Sequence, residues 1–551
     1  MRRFFLLKFI ILITIFSFFN YSFADQKTAK VDKLFSLWDE PNSPGCALAI
    51  IKDGKIIYKR GYGMANLELN VPITPKTVFY IGSCSKQFVA FSIALLAKRK
   101  KLSLDDDIRK YIPEFPEYGA SVKIKHLIHH TSGLRDFFTL ENIAGIPFGF
   151  YHKNDVLSLI VRQKELNFKP GDEYLYSNSG YFLLALIVER VSRMSFRKFA
   201  EKNIFKPLGM KNSHFQDDYT QIIKNRASGY FPGEKGKYKN FISTFDCVGS
   251  GGLYTSVEDL YLWDQNFYHC KVGGKDLIKQ IQTPGVLNNG KKLNYAFGLV
   301  IGSYKGLKTV GHGGALGGYR AGMIRFPEQK FSVIILSNLS SFNPIKMCQK
   351  VADIYLAGEF KEKKEAQKFL KISPNKLKEK AGTYMDSKTW DIMKILFKKG
   401  KLLINIYGGE YILGAISETE FQVLNAPTKT IIKFEKEYET NTWIMQMIRE
   451  GYSSRSFRKI ELIKLSSLKL KEYIGDYYNE ELNIIFKITM KNGKLYLTRK
   501  STPATSLRPI INDYFKTLRF NIKFIREEKN KIAGFLLNAR RARNLYFSRV
   551  N

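Results

Sequence analysis

A chain of 551 residues with 44% hydrophobic residues and no low-complexity tract has room for two to four domains with cores of their own, which excludes a disordered or fibrous protein. The formal charge is +38, and residues 361–551 carry +19 of it on 39 Lys and Arg against 20 Asp and Glu. No compact basic motif with interleaved aromatics accompanies that charge, so no nucleic-acid partner is expected.

The chain opens with a basic start, Met1-Arg2-Arg3, an almost wholly apolar run from Phe9 to Phe19, and small residues at Ser22 and Ala24. This pattern predicts a signal peptide over residues 1–24, cleaved after Ala24, and hence a periplasmic or extracellular protein. The apolar run is too short to span a bilayer, and no later stretch approaches twenty apolar residues, so the mature protein is expected to be soluble. For an exported protein the basic surplus suits an anionic cell-envelope polymer or lipid head groups, although lysine spread over every solvated face accounts for it equally well. Five cysteines, Cys46, Cys84, Cys247, Cys270 and Cys348, leave at least one unpaired, and their spacing suits neither zinc nor a disulfide scaffold. Cys84 reads as a small buried packing residue; a Cys84–Cys247 bridge is left open.

Lys52-Asp53-Gly54 between the apolar runs Cys46–Ile51 and Lys55–Gly61 predicts a β-hairpin. Next comes Ile81-Gly-Ser83-Cys-Ser-Lys86, leading into the apolar run Phe88–Ala97. A serine at a helix start with a lysine three residues on puts both side chains on one face. Burial disfavours a charged lysine, which can then take the hydroxyl proton of an otherwise weak nucleophile, and unpaired backbone N–H groups at the helix start can face a developing oxyanion. Four other Ser-x-x-Lys matches, at Ser195, Ser373, Ser456 and Ser466, lack the buried helix and read as solvated turns.

Beyond Leu102, Ser103 or one of Asp105–Asp107 is placed to cap a further helix. His126 and His130 share a helical spacing, but no Glu accompanies them as in His-Glu-x-x-His, so a structural role is expected and no metal. A turn-rich loop carrying Tyr176-Ser177-Asn178 feeds a long apolar helix predicted from Tyr181 to about Ala200. Gly249-Ser-Gly-Gly-Leu-Tyr-Thr-Ser256 is a second glycine-rich turn, with Ser256 as cap of the next helix; lacking a following Gly-Lys-Ser/Thr, it is no phosphate cradle. Short strands follow from Phe297 to Leu336, including Leu307-Lys-Thr-Val-Gly-His312, then a helix near Pro344–Ala357. A hairpin, a helical middle and closing strands with short connections predict an α+β layer fold with an antiparallel sheet.

The remainder repeats itself. Gly382-Thr-Tyr384 matches Gly475-Asp-Tyr477, and Gly400-Lys401-Leu402 matches Gly493-Lys494-Leu495, both at an offset of 93; Phe434 matches Phe524, and Phe457 matches Phe547, at 90. Two copies of one small antiparallel β-barrel are expected, with no nucleophile–base pair in either.

Ser83-x-x-Lys86, Tyr176-Ser177-Asn178 and His312-Gly313-Gly314, in that order on three elements, resemble the serine hydrolases of the penicillin-binding and class C β-lactamase-related family. The framing segments His129–Leu134, Gly249–Ser256 and Gly311–Tyr319 look alike too, and the two barrels resemble the lipocalin-like barrels of the D-aminopeptidase branch. The resemblance implies a β-lactamase/transpeptidase-like catalytic domain over 25–360, a linker at 361–374, and barrels at 375–465 and 466–551. It implies Ser83 as nucleophile, Lys86 as proton acceptor and Tyr176 as the general base and acid that passes the proton to the leaving group. Asn178, His312, Gly313 and Gly314 would bind substrate, and the N–H groups of Ser83 and Ala315 would form the oxyanion hole, with no cofactor. Penicillin-directed relatives usually carry lysine where His312 stands. A histidine is only partly charged near neutrality and holds a carboxylate less well. The expected substrate is therefore a small peptide, amide or ester cleaved through an acyl-enzyme, in the manner of a D-aminopeptidase, DD-peptidase or esterase. A β-lactamase, and a non-catalytic envelope-binding protein, are the alternatives.

Overall fold

The computed structural model describes residues 26–550 except 148, 150, 151, 362–368, 407, 427 and 501. The expected signal peptide and residues 362–368 of the expected linker lie outside the described residues. The chain divides into two units. One holds the described residues of Met1–Lys101, Val188–Thr283 and Phe297–Lys363; the other holds those of Leu102–Ile187, Pro284–Ala296 and Lys364–Asn551.

The first unit is built on a six-stranded antiparallel sheet, ordered Val300–Tyr304, Leu307–Leu316, Tyr319–Phe326, Phe331–Ser337, Cys46–Lys52, Lys55–Tyr62. Asp53 (φ 49°) and Gly54 (φ 78°) make the expected hairpin turn, since a two-residue connection of this kind needs positive φ at both positions. The hairpin then joins a strand distant in sequence, pairing Cys46 with Ser337 and Lys52 with Phe331. Alternation along the strands sends Leu48, Ile50, Ile324, Val333 and Ile335 to one face, where Met347, Cys348 and Val351 of the helix Pro344–Tyr355 cover them. On the opposite face Arg325 and Ser332, paired across two strands, both bond Asp264 of the helix Val257–His269, at 2.8 and 2.9 Å. The Arg325–Asp264 ion pair is buried, and Arg325 also stacks 3.7 Å from the Phe267 ring. Ser256 caps that helix as expected, its Oγ accepting the Asp259 N–H at 3.2 Å.

The second unit contains short helices, among them Ile124–Ile128, Phe137–Ala144 and Lys153–Val161, and two closed antiparallel barrels of eight strands each. The first barrel closes by pairing Gly382–Asp386 with Arg455–Ile460, the second by pairing Gly475–Asn479 with Ala542–Val550. The repeat has a physical content. The hydroxyls of Tyr384 and Tyr477 each donate to the carbonyl four residues back, on Lys380 (2.8 Å) and Tyr473 (3.0 Å), fastening the first strand to the helical turn before it. Lys399-Gly400 and Asn492-Gly493 both turn with positive φ, and Phe434, Phe457, Phe524 and Phe547 are all buried.

Two helix expectations need correction. After Leu102 the chain makes only the single turn Ile108–Lys110, capped by Asp107, whose carboxylate accepts the Arg109 N–H. The long helix begins at Asn178 and stops at Ser192; Arg193 turns left-handed (φ 56°), and Ser195 caps a separate helix, Phe196–Ala200. No disulfide is formed among the described residues, the Cys84–Cys247 option included. Among those residues no helix is long and apolar enough to cross a membrane.

Candidate active site

The expected site residues fall on both units: Ser83, Lys86 and His312–Ala315 on the first, Tyr176 and Asn178 on the second.

In the first unit, Ser83 lies not in the α-helix itself but in the 3-10 turn Gly82–Ser85 that leads into Lys86–Lys98. Residues three apart eclipse on such a turn, which brings the Lys86 ammonium nitrogen to 3.2 Å from Ser83 Oγ. Lys86 has no exposed surface, whereas Ser83 is partly open. The lysine also donates to the Ser250 carbonyl at 2.6 Å. That carbonyl was not a sequence candidate, because a backbone oxygen carries no residue signature. The glycines around it did carry a signal: a Cβ on Gly251 would sit 2.2 Å from the Tyr80 hydroxyl, so the turn closes tightly against the neighbouring strand. Hydrogen bonds from Ile81 N to Leu253 O and from Leu253 N to Ser85 Oγ, at 3.0 and 3.2 Å, tie that turn to the serine. Two of the other Ser-x-x-Lys matches prove to be helix caps, Ser195 and Ser466 accepting the backbone N–H of Lys198 and Lys469.

The strand Leu307–Leu316 runs hard against the serine turn. A Cβ on Gly314 would lie 1.9 Å from the Ile81 carbonyl, and one on Gly82 (φ 53°) would lie 2.5 Å from Ala315 N, so both positions require glycine. The Cys84 thiol donates to the His312 carbonyl at 3.1 Å, the packing role expected of it. Burial pulls His312 down to about 4, against the effect of its Nδ1 bond to the Gly313 carbonyl at 2.5 Å. The ring is therefore neutral at pH 7, further from a carboxylate binder than the sequence implied.

In the second unit, Asn178 begins its helix with both its backbone N–H and its Nδ2 donating to one oxygen of Asp136, at 2.7 and 2.8 Å. The other Asp136 oxygen caps the helix Phe137–Ala144 by accepting Thr139 N at 3.1 Å. His130 Nδ1 accepts the Ser177 N–H at 3.2 Å, and its ring lies 4.1 Å from that of Tyr176. Tyr295 completes the cluster, 4.6 Å from His130 and 6.1 Å from Tyr176. His130 is thus a support of Tyr176 and Ser177, and Asp136 of Asn178; neither was singled out for this from sequence. The Asp-x-x-Thr capping spacing was the available sign for Asp136. His126 accepts the Lys123 N–H, and burial holds both His126 and His129 down to about 4. Among the described residues no group of acidic, His and Cys side chains is arranged to hold a metal.

Beside Asp136 lies the buried Glu141, whose carboxyl burial pushes up to about 8, with the Asp136 charge adding to the shift. The folded protein then keeps a proton that the unfolded chain releases near its ordinary value of 4.5. The resulting stability is fully present below that value and falls by up to about 1.4 kcal/mol per pH unit until the folded carboxyl itself ionises. Glu141→Gln is expected to flatten this fall, read as Tm against pH from 5 to 8 in both proteins.

The sequence profile of the family described as Beta-lactamase matches residues 31–347. A D-aminopeptidase from Gluconobacter oxydans is 28% identical over 310 residues, covering 56% of this chain and 58% of its own length. A D-aminopeptidase from Brucella melitensis is 24% identical over 462 residues, 82% of each chain. Among solved structures, the octameric penicillin-binding protein homologue from Pyrococcus abyssi superposes with a TM-score of 0.55 at 26% identity, over 78% of this chain and 99% of that one. The matched span, the three motifs within it and the sheet whose strand carries His312 against the Ser83 turn lead to one conclusion: this chain belongs to the β-lactamase family.

Proposed function

We propose that the protein is an exported serine hydrolase that forms an acyl-enzyme at Ser83 and cleaves a small peptide, amide or ester. The observation that carries this reading is the fully buried Lys86 at 3.2 Å from the Ser83 oxygen. Burial favours the neutral amine, which takes the Ser83 proton as the oxygen attacks the substrate carbonyl. The oxyanion is stabilised by the N–H groups of Ser83 and Ala315. Tyr176 protonates the leaving nitrogen or oxygen as its bond to the acyl carbon breaks, then draws a proton from the water that releases the acyl group. The family and the relatives named D-aminopeptidase support a peptidase or amidase. The neutral His312 weighs against efficient β-lactam hydrolysis.

A fluorophosphonate probe is expected to label Ser83 and no other serine in the purified mature protein, with all labelling lost in Ser83→Ala. Intact-mass and peptide analysis reads both. Folded protein that takes no label from any acylating probe removes the reading.

A further inference from the structure

The strand registers of the two barrels match, so their interiors can be compared place by place. Met445 pairs with Phe457 as Phe535 pairs with Phe547, Met447 with Arg455 as Leu537 with Leu545, and Tyr384 with Met393 as Tyr477 with Phe486. Towards the middle both interiors are filled alike, by Tyr384 and Phe457 in one and Tyr477 and Phe547 in the other, all fully buried. One end differs. In the second barrel Phe486, Leu537 and Leu545 fill it; none has any exposed surface, and the Phe486 ring lies 4.6 Å from that of Phe547. In the first barrel the same three places hold Met393, Met447 and Arg455, and there they line a cavity of about 260 Å³ together with Ile406, Asn405 and Asp391.

Arg455 does not fill this end as Leu545 does. Its guanidinium is held at the rim, where Nε donates to Asp386 at 2.9 Å and Nη2 to Asp391 and Thr389 Oγ1 at 2.7 and 2.8 Å. The other Asp391 oxygen accepts Asn521 Nδ2 at 2.9 Å. These rim charges satisfy one another, so the surface left to a ligand is apolar: Met393 and Ile406, each only partly buried, and Met447. A thioether side chain bends to suit what it meets, so two methionines in place of a phenylalanine and a leucine make an adaptable floor where the second barrel has a fixed plug. An open apolar hollow forgoes the dispersion contacts that the plug makes, and a ligand of the right size regains them. An apolar cavity of about 150 Å³ is already enough for benzene.

We propose that this end of the first barrel binds a small neutral molecule, an aromatic or branched aliphatic body of about ten non-hydrogen atoms with one polar group. The apolar body lies on Met393, Ile406 and Met447, and the polar group reaches the exposed Asn405 at the rim. The second barrel, filled at the same place, has no such site there. The inference stands apart from the chemistry at Ser83 and does not depend on it.

The test is methionine-methyl NMR of the full-length protein titrated with benzyl alcohol, a probe of this class. The Met393 and Met447 signals, assigned from Met393→Leu and Met447→Leu, are expected to shift together and saturate with a Kd of about 1 mM, within reach of so small a ligand. Met393→Phe installs the second barrel's residue and should abolish the Met447 shift at concentrations up to about ten times that Kd. Ile406→Phe serves as second variant should the first fail to fold. Two outcomes overturn the site: Met393 and Met447 signals that stay in place in the wild type over the same range, or a Met447 shift that survives once the cavity is filled.

Discussion

Lys86→Met is expected to slow acylation of Ser83 by roughly a thousandfold or more, the range in which a positioned proton acceptor contributes. Methionine matches the length of lysine and suits a site with no exposed surface, so the helix Lys86–Lys98 keeps its packing. What disappears is the amine 3.2 Å from Ser83 Oγ and 2.6 Å from the Ser250 carbonyl. The carbonyl left without its donor costs about 1–3 kcal/mol, a loss that thermal melting would register separately from the rate. Single-turnover labelling across pH is the measurement. A rate within tenfold of the wild type would mean that another group activates the serine.

Asp264→Ala should be the most damaging substitution away from the site. It strips the partner from Arg325, which is 3% exposed and has no route to water. Breaking a buried pair from one side typically costs about 3–5 kcal/mol, because the remaining charge stays desolvated. Ser332 Oγ loses its acceptor at the same time. Urea denaturation of the full chain reads the loss, and Asp264→Leu combined with Arg325→Met is expected to restore most of it, since neither charge is then left alone. A double variant no better than the single one would show that the pair acts through geometry rather than charge.

Where a few adjacent residues decide the outcome, the fold was legible from sequence. Asp53-Gly54, Lys399-Gly400 and Asn492-Gly493 announce their turns because positive φ is needed there, and the repeated Gly-x-Tyr announces two copies of one barrel. The serine–lysine pair was legible from the apolar helix behind it. What could not be read depends on distant or anonymous groups. Nothing near Cys46 names Ser337 as its neighbour, a choice made by the sheet as a whole. The Ser250 carbonyl that Lys86 reaches belongs to a peptide group, which every residue has. Asp136 was passed over because a capping aspartate looks the same whether or not its second oxygen holds Asn178.

The way the β-structure ends also bears on how so basic a chain behaves at high concentration. Each barrel joins its first strand to its last, so neither presents a row of unsatisfied amides on which another molecule could zip. Of the two borders of the open sheet, one is the short Val300–Tyr304 and the other carries Lys55, Lys59 and Arg60, the last two paired with Glu258 and with Asp32 and Asp39, so a second strand would have to strip water from a row of charges to reach the backbone.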